Sequence, residues 1–232
     1  MGKTAVNVAE KYEVSRADMD KFAQRSQELA VQSQEDGFFD REIVPVKLPD
    51  GTEVAKDDGP RASSTLEKLS QLEESFGGGV TAGNSCPLND GAAAVLLMSD
   101  TKAKELGLTP RARIVTAATF GNEPEYMGVA PIGAIKKVLD RSGMTMEDVG
   151  TVELNEAFAA QVIPIMDECD IPLEKLNTHG GAIALGHPFG MTGARMMGTL
   201  LNVMETDDHQ VGIETMCVAG GQGKAMLVER MN

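Results

Sequence analysis

Three short stretches combine residue types that can do chemistry. The first, GGAIALGHPFGMTGAR from Gly180 to Arg195, sets His187, one of three histidines in the chain, among five glycines. Glycines on both sides let a backbone approach a ligand closely. A structural histidine is usually embedded in apolar periodicity; this one is not, so it reads as an active-site residue. The second stretch, NEAFA from Asn155 to Ala159, falls at a strand-to-helix turn. An Asn there can cap the helix, or its amide can hold a water or a carbonyl oxygen, and spacing alone leaves both readings open. The third, CVAGGQG from Cys217 to Gly223, places a thiol at a strand end facing a glycine turn. Free N–H groups in such a nest favour developing negative charge and can depress a thiol pKa. The competing reading is a buried cysteine beside a β-turn.

Other chemistries lack their residues. GHPFGMTG is not the dinucleotide fingerprint GxGxxG, and no Walker lysine follows a glycine-rich loop. No GxSxG elbow is present. The histidines and cysteines have no zinc spacing, so no metal is expected. A net charge of -14 and a pI near 4.6 disfavour nucleic acid and anionic membranes as partners. An anionic ligand would need a local basic or amide-lined site. The three cysteines, Cys86, Cys169 and Cys217, give no disulfide framework, which points to a reducing compartment and the cytoplasm. No apolar run approaches the roughly 18 residues of a membrane span. The first 20 residues show no apolar leader region. With 4% aromatics and no Trp, the core must be built from Ala, Val, Ile, Leu and Met.

The elements that must position these groups follow from periodicity. SRADMDKFAQRSQELAVQSQEDG reads as a helix capped by Ser15 and Asp18 and ended by Gly37. Met19, Phe22, Ala23, Ser26, Leu29 and Ala30 form its inner face. EIVPVKLPDGTEVAKDD suggests a small hairpin, residues 54–64 an exposed loop, and STLEKLSQLEESF a short helix. GAAAVLLMS, from Gly91 to Ser99, reads as a strand buried on both faces, followed by a helix at 100–107. Then come a strand (ARIVTAATF), a helix (PIGAIKKVLDRSG), a strand–turn–helix (GTVELNEAFAAQVIPIMDEC) and a helix, GARMMGTLLNVME. That last helix is expected to present Ala194, Met197, Leu200, Leu201 and Met204 on one face. GIETMCVAGGQGKAMLVERM closes the chain as strand, glycine turn, strand. The alternation favours an α/β layered architecture after an irregular module of about 88 residues. NDGAAAVLLMSD and GQGKAMLVERMN echo each other, by chance or as last strands of two duplicated halves.

Together the three stretches, in this order and spacing, resemble the thiolase family of acyl-CoA acyltransferases. TAGNSCPLNDGAAAVLLMS and the opening MGKTAVNVAEKYEVSRADMDKFAQRSQ extend the resemblance over essentially the whole chain. It implies a thiolase-like layered fold: a C-terminal half-sheet with helices, an irregular α/β loop module, and an N-terminal half-domain largely absent. The expected division is 1–88 as a CoA-binding loop module, 89–110 as the last strand and helix of the N-terminal domain, and 111–232 as the C-terminal domain. The implied reaction is thiolytic cleavage of 3-ketoacyl-CoA, or the reverse Claisen condensation, with CoA and acyl-CoA as substrates and no permanently bound cofactor. By motif match, Cys217 moves the α-proton, while His187 activates the nucleophile and donates in an oxyanion hole that Asn155 completes through a bound water. Backbone N–H groups of Ala219 and Gly220 help form a second hole. The resemblance places Arg61 near the nucleotide of CoA, Phe76, Ala82, Cys86, Leu88 and Phe158 along the pantetheine, and Met127 near the acyl end.

The chain departs from the family pattern in three ways. No cysteine matches the family's nucleophile, Cys86 stands where a pantetheine-contacting serine is usual, and Ala219 replaces a glycine. The expectation is therefore a truncated, mis-started or split enzyme. It would work as a homo-oligomer or with a partner chain carrying the N-terminal half. A non-catalytic CoA-binding remnant, or a rewired enzyme acylated on Cys86 or Cys217, are the alternatives.

Overall fold

The computed structural model describes residues 1–231. Helix α1 (Gly2–Lys11) buries Ala5, Val8 and Ala9, and α2 (Arg16–Glu35) follows across a short turn. The cap of α2 is the one its sequence suggests: Ser15 Oγ accepts from the Asp18 N–H at 3.1 Å and donates to the Asp18 carboxylate at 2.6 Å. Met19, Phe22, Ala23, Ser26 and Ala30 are buried, but Leu29 is only half-buried. Asp20 and Gln27 go inside instead because they have partners there. Asp20 pairs with Arg16 at 2.7 Å and accepts from Asn84 at 3.0 Å, and Gln27 accepts the Arg61 N–H at 2.7 Å.

The hairpin of β1 (Val46–Lys47) and β2 (Glu53–Val54) is short and exposed, and residues 54–64 are largely exposed. Helix α3 (Leu66–Ser70) is shorter than its apolar spacing suggests. The chain turns extended at β3 (Glu74–Gly77), which pairs with β4 (Val80–Thr81) through Gly77, Gly78 and Gly79, all at positive φ. Three successive residues in that conformation require glycine.

Residues 91–99 correct the sequence reading. No strand forms there; Leu96 is 80% and Leu97 67% exposed. An unbroken apolar run is the composition of a two-face-buried strand, but composition does not supply the neighbouring strands, and none of the described strands lies alongside. Helix α4 (Asp100–Glu105), capped by Ser99, ends two residues before its expected boundary, and Gly107 at φ 64 turns the chain away.

The remaining elements build the layered unit. They are β5 (Ala112–Gly121), α5 (Pro131–Ser142), β6 (Thr151–Leu154), α6 (Ala159–Glu168), α7 (Ala182–Leu185), α8 (Thr192–Thr206), β7 (Val211–Val218) and β8 (Gln222–Arg230). The sheet runs β5-β8-β7-β6. Only β6 and β7 are parallel, in the register Leu154 to Thr215. Alternation along β7 sorts the layers. Gly212, Glu214 and Met216 face α8, whose Leu200 and Met204 leave no room for a Cβ at Gly212. Ile213 and Cys217 face the other side, where Ile213 joins Ala134, Ile135 and Ile165 of α5 and α6 in the main core. This is the α/β layered arrangement. The inner face of α8 is rotated from the expected one: Met196, Thr199, Leu200, Val203 and Met204 are buried, while Ala194, Met197 and Leu201 are half-buried. Glu42 causes the rotation by accepting from Thr199 at 2.9 Å and Asn202 at 3.0 Å, which draws polar positions inward.

Candidate active site

Parallel strands β6 and β7 end side by side, and the carboxyl ends of parallel strands are where α/β folds place their ligands. Asn155 leaves β6 with its N–H donating to Thr215 O at 3.0 Å, extending the ladder by one residue. Its side chain is 1% exposed, and both amide atoms lack a protein partner. The helix-cap reading fails: α6 starts four residues later, after Phe158, with no side-chain cap. An amide buried with its donor and acceptor both unused is costly unless a small polar group completes it.

Cys217 lies near the end of β7, 6% exposed, in a cluster with Met127 and Ala157, against which Cys86 and Phe158 pack. Its Sγ donates to Gln161 Oε1 at 3.2 Å, and Gln161 Nε2 donates to Asn155 O at 3.4 Å. The sequence pointed to a glycine nest lowering this thiol's pKa. The structure gives the opposite direction: burial pushes Cys217 up to about 12 and Cys86 up to about 11. Cys217 is therefore a protonated thiol, able to give a proton as it stands. Cys169 is buried at the end of α6, with Ile132 O at 4.0 Å from its Sγ.

The hairpin tip after Cys217 is open. Ala219 keeps a negative φ, while Gly220 and Gly221 adopt φ 87 and 88. Ala219 O accepts from Gln222 at 3.1 Å, and Ala219 and Gly220 are both exposed. Gly221 is required twice over, by its positive φ and by the backbone of Asn122 and Pro124 packed against it.

His187 sits between α7 and α8. Gly186, at φ 91, turns the chain tightly against Asn89, whose Oδ1 accepts the His187 N–H at 3.1 Å. The ring's Nδ1 lies 2.7 Å from Thr192 Oγ1. Burial, and then the Arg195 charge, lower the imidazole pKa, favouring the neutral ring. A cleft of about 320 Å³ opens here, lined by Leu88, Asn89, Asp90, His187, Pro188 and Phe189.

The structure thus gathers Cys217, Cys86, Met127 and Phe158 in one cluster and His187 with Leu88 in another. Residues 85–89 join them: the Cys86 N–H donates to Ala157 O at 3.0 Å, and Asn89 holds His187. Arg61, Phe76 and Ala82 lie on the loop module, outside both clusters. All three are exposed, and the Arg61 guanidinium makes no hydrogen bond or ion pair among the described residues.

Sequence reasoning missed Gln161 and Glu156. The signal for Gln161 was a lone amide in the apolar run AAQVIPIM. Glu156, inside the NEAFA stretch, is fully buried. It accepts from Ser26 at 2.6 Å, Asn177 at 2.7 Å and the Ile183 N–H at 3.1 Å, tying α2 and the loop before His187 to the end of β6. Among the described residues no cluster of His, Cys, Asp or Glu could hold a metal ion.

A buried thiol and an unpaired amide thus stand together at the ends of the parallel strands of a mixed sheet. The family model described as the N-terminal domain of thiolase matches residues 1–101, and that of the C-terminal domain matches residues 108–230. The chain belongs to the thiolase family. It is 47% identical to a protein of Staphylococcus aureus (strain COL) named "Probable acetyl-CoA acyltransferase", over 99% of this chain and 60% of that one. Its fold is similar to the crystal structure of the Bacillus anthracis acetyl-CoA acetyltransferase, with TM-score 0.97 and 44% identity over 100% of this chain and 60% of that one. It is also similar to the dimeric peroxisomal thiolase of Saccharomyces cerevisiae, with TM-score 0.96 and 43% identity over 100% of this chain and 59% of that one. The chain therefore spans about 60% of the length of the relatives it matches.

Proposed function

We propose that this chain supplies the acid–base half of a thiolase-type acyl-CoA C-acyltransferase, which cleaves 3-ketoacyl-CoA with CoA or runs the Claisen condensation in reverse. Cys217 delivers the proton to the α-carbon as the carbon–carbon bond breaks, which leaves its thiolate, and in the synthetic direction that thiolate takes the α-proton back. His187 and Asn155, the latter through a water, stabilise the thioester oxygen, and the N–H groups of Ala219 and Gly220 serve a second oxyanion. One such donor is worth roughly 10²–10³ in rate. The nucleophilic thiol comes from the part of the relatives that this chain does not span, in one polypeptide, a partner chain or an oligomer. Cys86 and Cys217 are poor candidates for that role, since burial keeps both thiols protonated. Residues 1–88 form the CoA-binding module, with Arg61 toward the nucleotide and Phe76, Ala82, Cys86, Leu88 and Phe158 along the pantetheine. Met127 takes the acyl end, 89–110 is the end of the N-terminal domain, and 111–232 is the C-terminal domain. CoA is a substrate, no cofactor is permanently bound, and the compartment is the reducing cytoplasm.

The observation that carries this reading is the buried, unpaired Asn155 amide beside the protonated Cys217 thiol. The test is to incubate the chain with acetoacetyl-CoA and read its intact mass. The assay is then repeated with the polypeptide for the region of the Staphylococcus aureus relative outside the match. The expected result is no acyl adduct on the chain alone and thiolysis in the mixture, lost in Cys217→Ala. An acetyl adduct on Cys86 or Cys217 of the isolated chain would overturn this division of labour. CoA binding without turnover in the mixture would leave only a binding module.

A further inference from the structure

The side chain of Thr192 is completely buried, yet its hydroxyl has two neighbours. It lies 2.7 Å from His187 Nδ1 and 2.9 Å from Pro188 O, the carbonyl four residues before it. A threonine hydroxyl has one proton to give and lone pairs to accept with. A carbonyl oxygen can only accept. If the hydroxyl proton pointed at Nδ1, two oxygens would face each other at 2.9 Å with no proton between them. Back-bonding to the preceding turn's carbonyl is also the usual habit of a helical threonine. The hydroxyl proton therefore belongs to Pro188 O, and the only way to satisfy the contact with the ring is for Nδ1 to carry a hydrogen and donate it.

We propose that Thr192 is a positioning residue that fixes His187 in the Nδ1–H tautomer and leaves Nε2 unprotonated, as the ring's proton acceptor. This rests on the reading of His187 as an active-site residue and specifies it. The neutral ring offers a base at Nε2; once that nitrogen takes a proton, it becomes a donor to a substrate oxygen, while Nδ1 keeps the same bond throughout. The second tie on this residue, the His187 N–H to Asn89 at 3.1 Å, fixes its backbone and says nothing about the tautomer. Thr192 opens α8, and Pro188 O also accepts the N–H groups of Met191 at 2.9 Å and Thr192 at 3.1 Å. The carbonyl that orients the hydroxyl is thus itself held by the first turn of the helix. The tautomer of the ring follows from how α8 begins.

The experiment is ¹⁵N NMR of the ¹⁵N-histidine-labelled chain above the ring's titration, comparing wild type with Thr192→Val and Thr192→Ser. Valine keeps the shape and removes the hydroxyl; serine keeps the hydroxyl. The expected result in wild type and Thr192→Ser is an Nδ1 resonance of the protonated type and an Nε2 resonance of the unprotonated type. Thr192→Val exchanges the two assignments, because free neutral imidazole side chains favour Nε2–H. A wild-type ring protonated on Nε2, a Thr192→Val spectrum like wild type, or a Thr192→Ser spectrum like that of Thr192→Val would each overturn the proposal. His179 and His209 are internal references, and changes at all three rings would mark a general disturbance and equally overturn it. The readout needs no turnover, so a chain inactive in acyl transfer still decides the tautomer, and an active one does not confirm it.

Discussion

Glu153→Gln should make this protein more stable, and increasingly so as the pH rises. Glu153 is on β6, 1% exposed, directly opposite Glu214 of β7, and its Oε1 has no partner. Arg195 lies 3.7 Å from Oε2, too far for a hydrogen bond. Burial is the largest influence and pushes the carboxyl up, Arg195 opposes it, and Glu42, Glu156 and Glu214 add to it, giving a pKa of about 8 against 4.5 for the free group. The folded state holds this proton more tightly than the unfolded chain does. The stabilisation is therefore complete below pH 4.5 and is lost as pH rises through about 8. Linkage between these two values makes the cost to folding larger by about 3 kcal/mol at pH 8.5 than at pH 5.5. Glutamine resembles the neutral carboxyl in shape and escapes this term, so the variant's advantage should grow by about 3 kcal/mol between the two pH values. Urea unfolding of both chains at pH 5.5 and 8.5 measures it. Taking the difference between variant and wild type cancels the repulsion of a chain with net charge -14. A difference independent of pH would refute the reasoning and show that Glu153 is ionised and adequately paired with Arg195 at neutral pH.

Two further outcomes follow from the site and its surroundings. The His187 ring should titrate with a midpoint below 6.5, since burial and Arg195 both disfavour the imidazolium; a midpoint at or above 6.5 in an NMR pH titration would mean that the ring is more open or better paired than described. The double change Leu96→Lys with Leu97→Lys should reduce concentration-dependent light scattering by the isolated chain and leave its unfolding free energy, measured in urea, within about 0.5 kcal/mol of wild type, as is usual for exposed sites. A large loss of stability would mean that these residues pack inside the fold.

The parts of the fold legible in the sequence were those that a short window determines. The Ser15–Asp18 cap, the glycine turn at 220–221 and the strand–turn–strand around Cys217 depend on a few consecutive residues. What failed depended on distant partners. The apolar stretch at 91–99 has a strand's composition and no strand beside it. The inner face of α8 turned because Glu42, more than 150 positions away, supplies buried hydrogen bonds to Thr199 and Asn202. The Cys217 thiol could not be placed on the pKa scale from its glycine turn. Burial by Met127 and Ala157 outweighs the nearby N–H groups, and those residues come from other segments.

The same dependence explains how the two halves of the site are coupled. Residues 85–89 touch both: Ser85 bridges to Phe158, Cys86 is hydrogen-bonded to Ala157 beside Cys217, and Asn89 accepts from His187. Five residues spaced by about 3.3 Å each cannot slide at one end without moving the other. Two glycines confirm how closely this segment is seated, because a Cβ at Gly186 would strike Asn89 and one at Gly91 would strike Pro188 and Met191. The exposed apolar stretch begins immediately after it. Anything that packs on Leu96 and Leu97 therefore pulls on a segment already hydrogen-bonded to the backbone of His187 and to the wall of the Cys217 cluster. The relative placement of His187 and Cys217 is therefore tied to residues 85–89 as well as to the turn between α7 and α8 that carries the one and to β7 that carries the other.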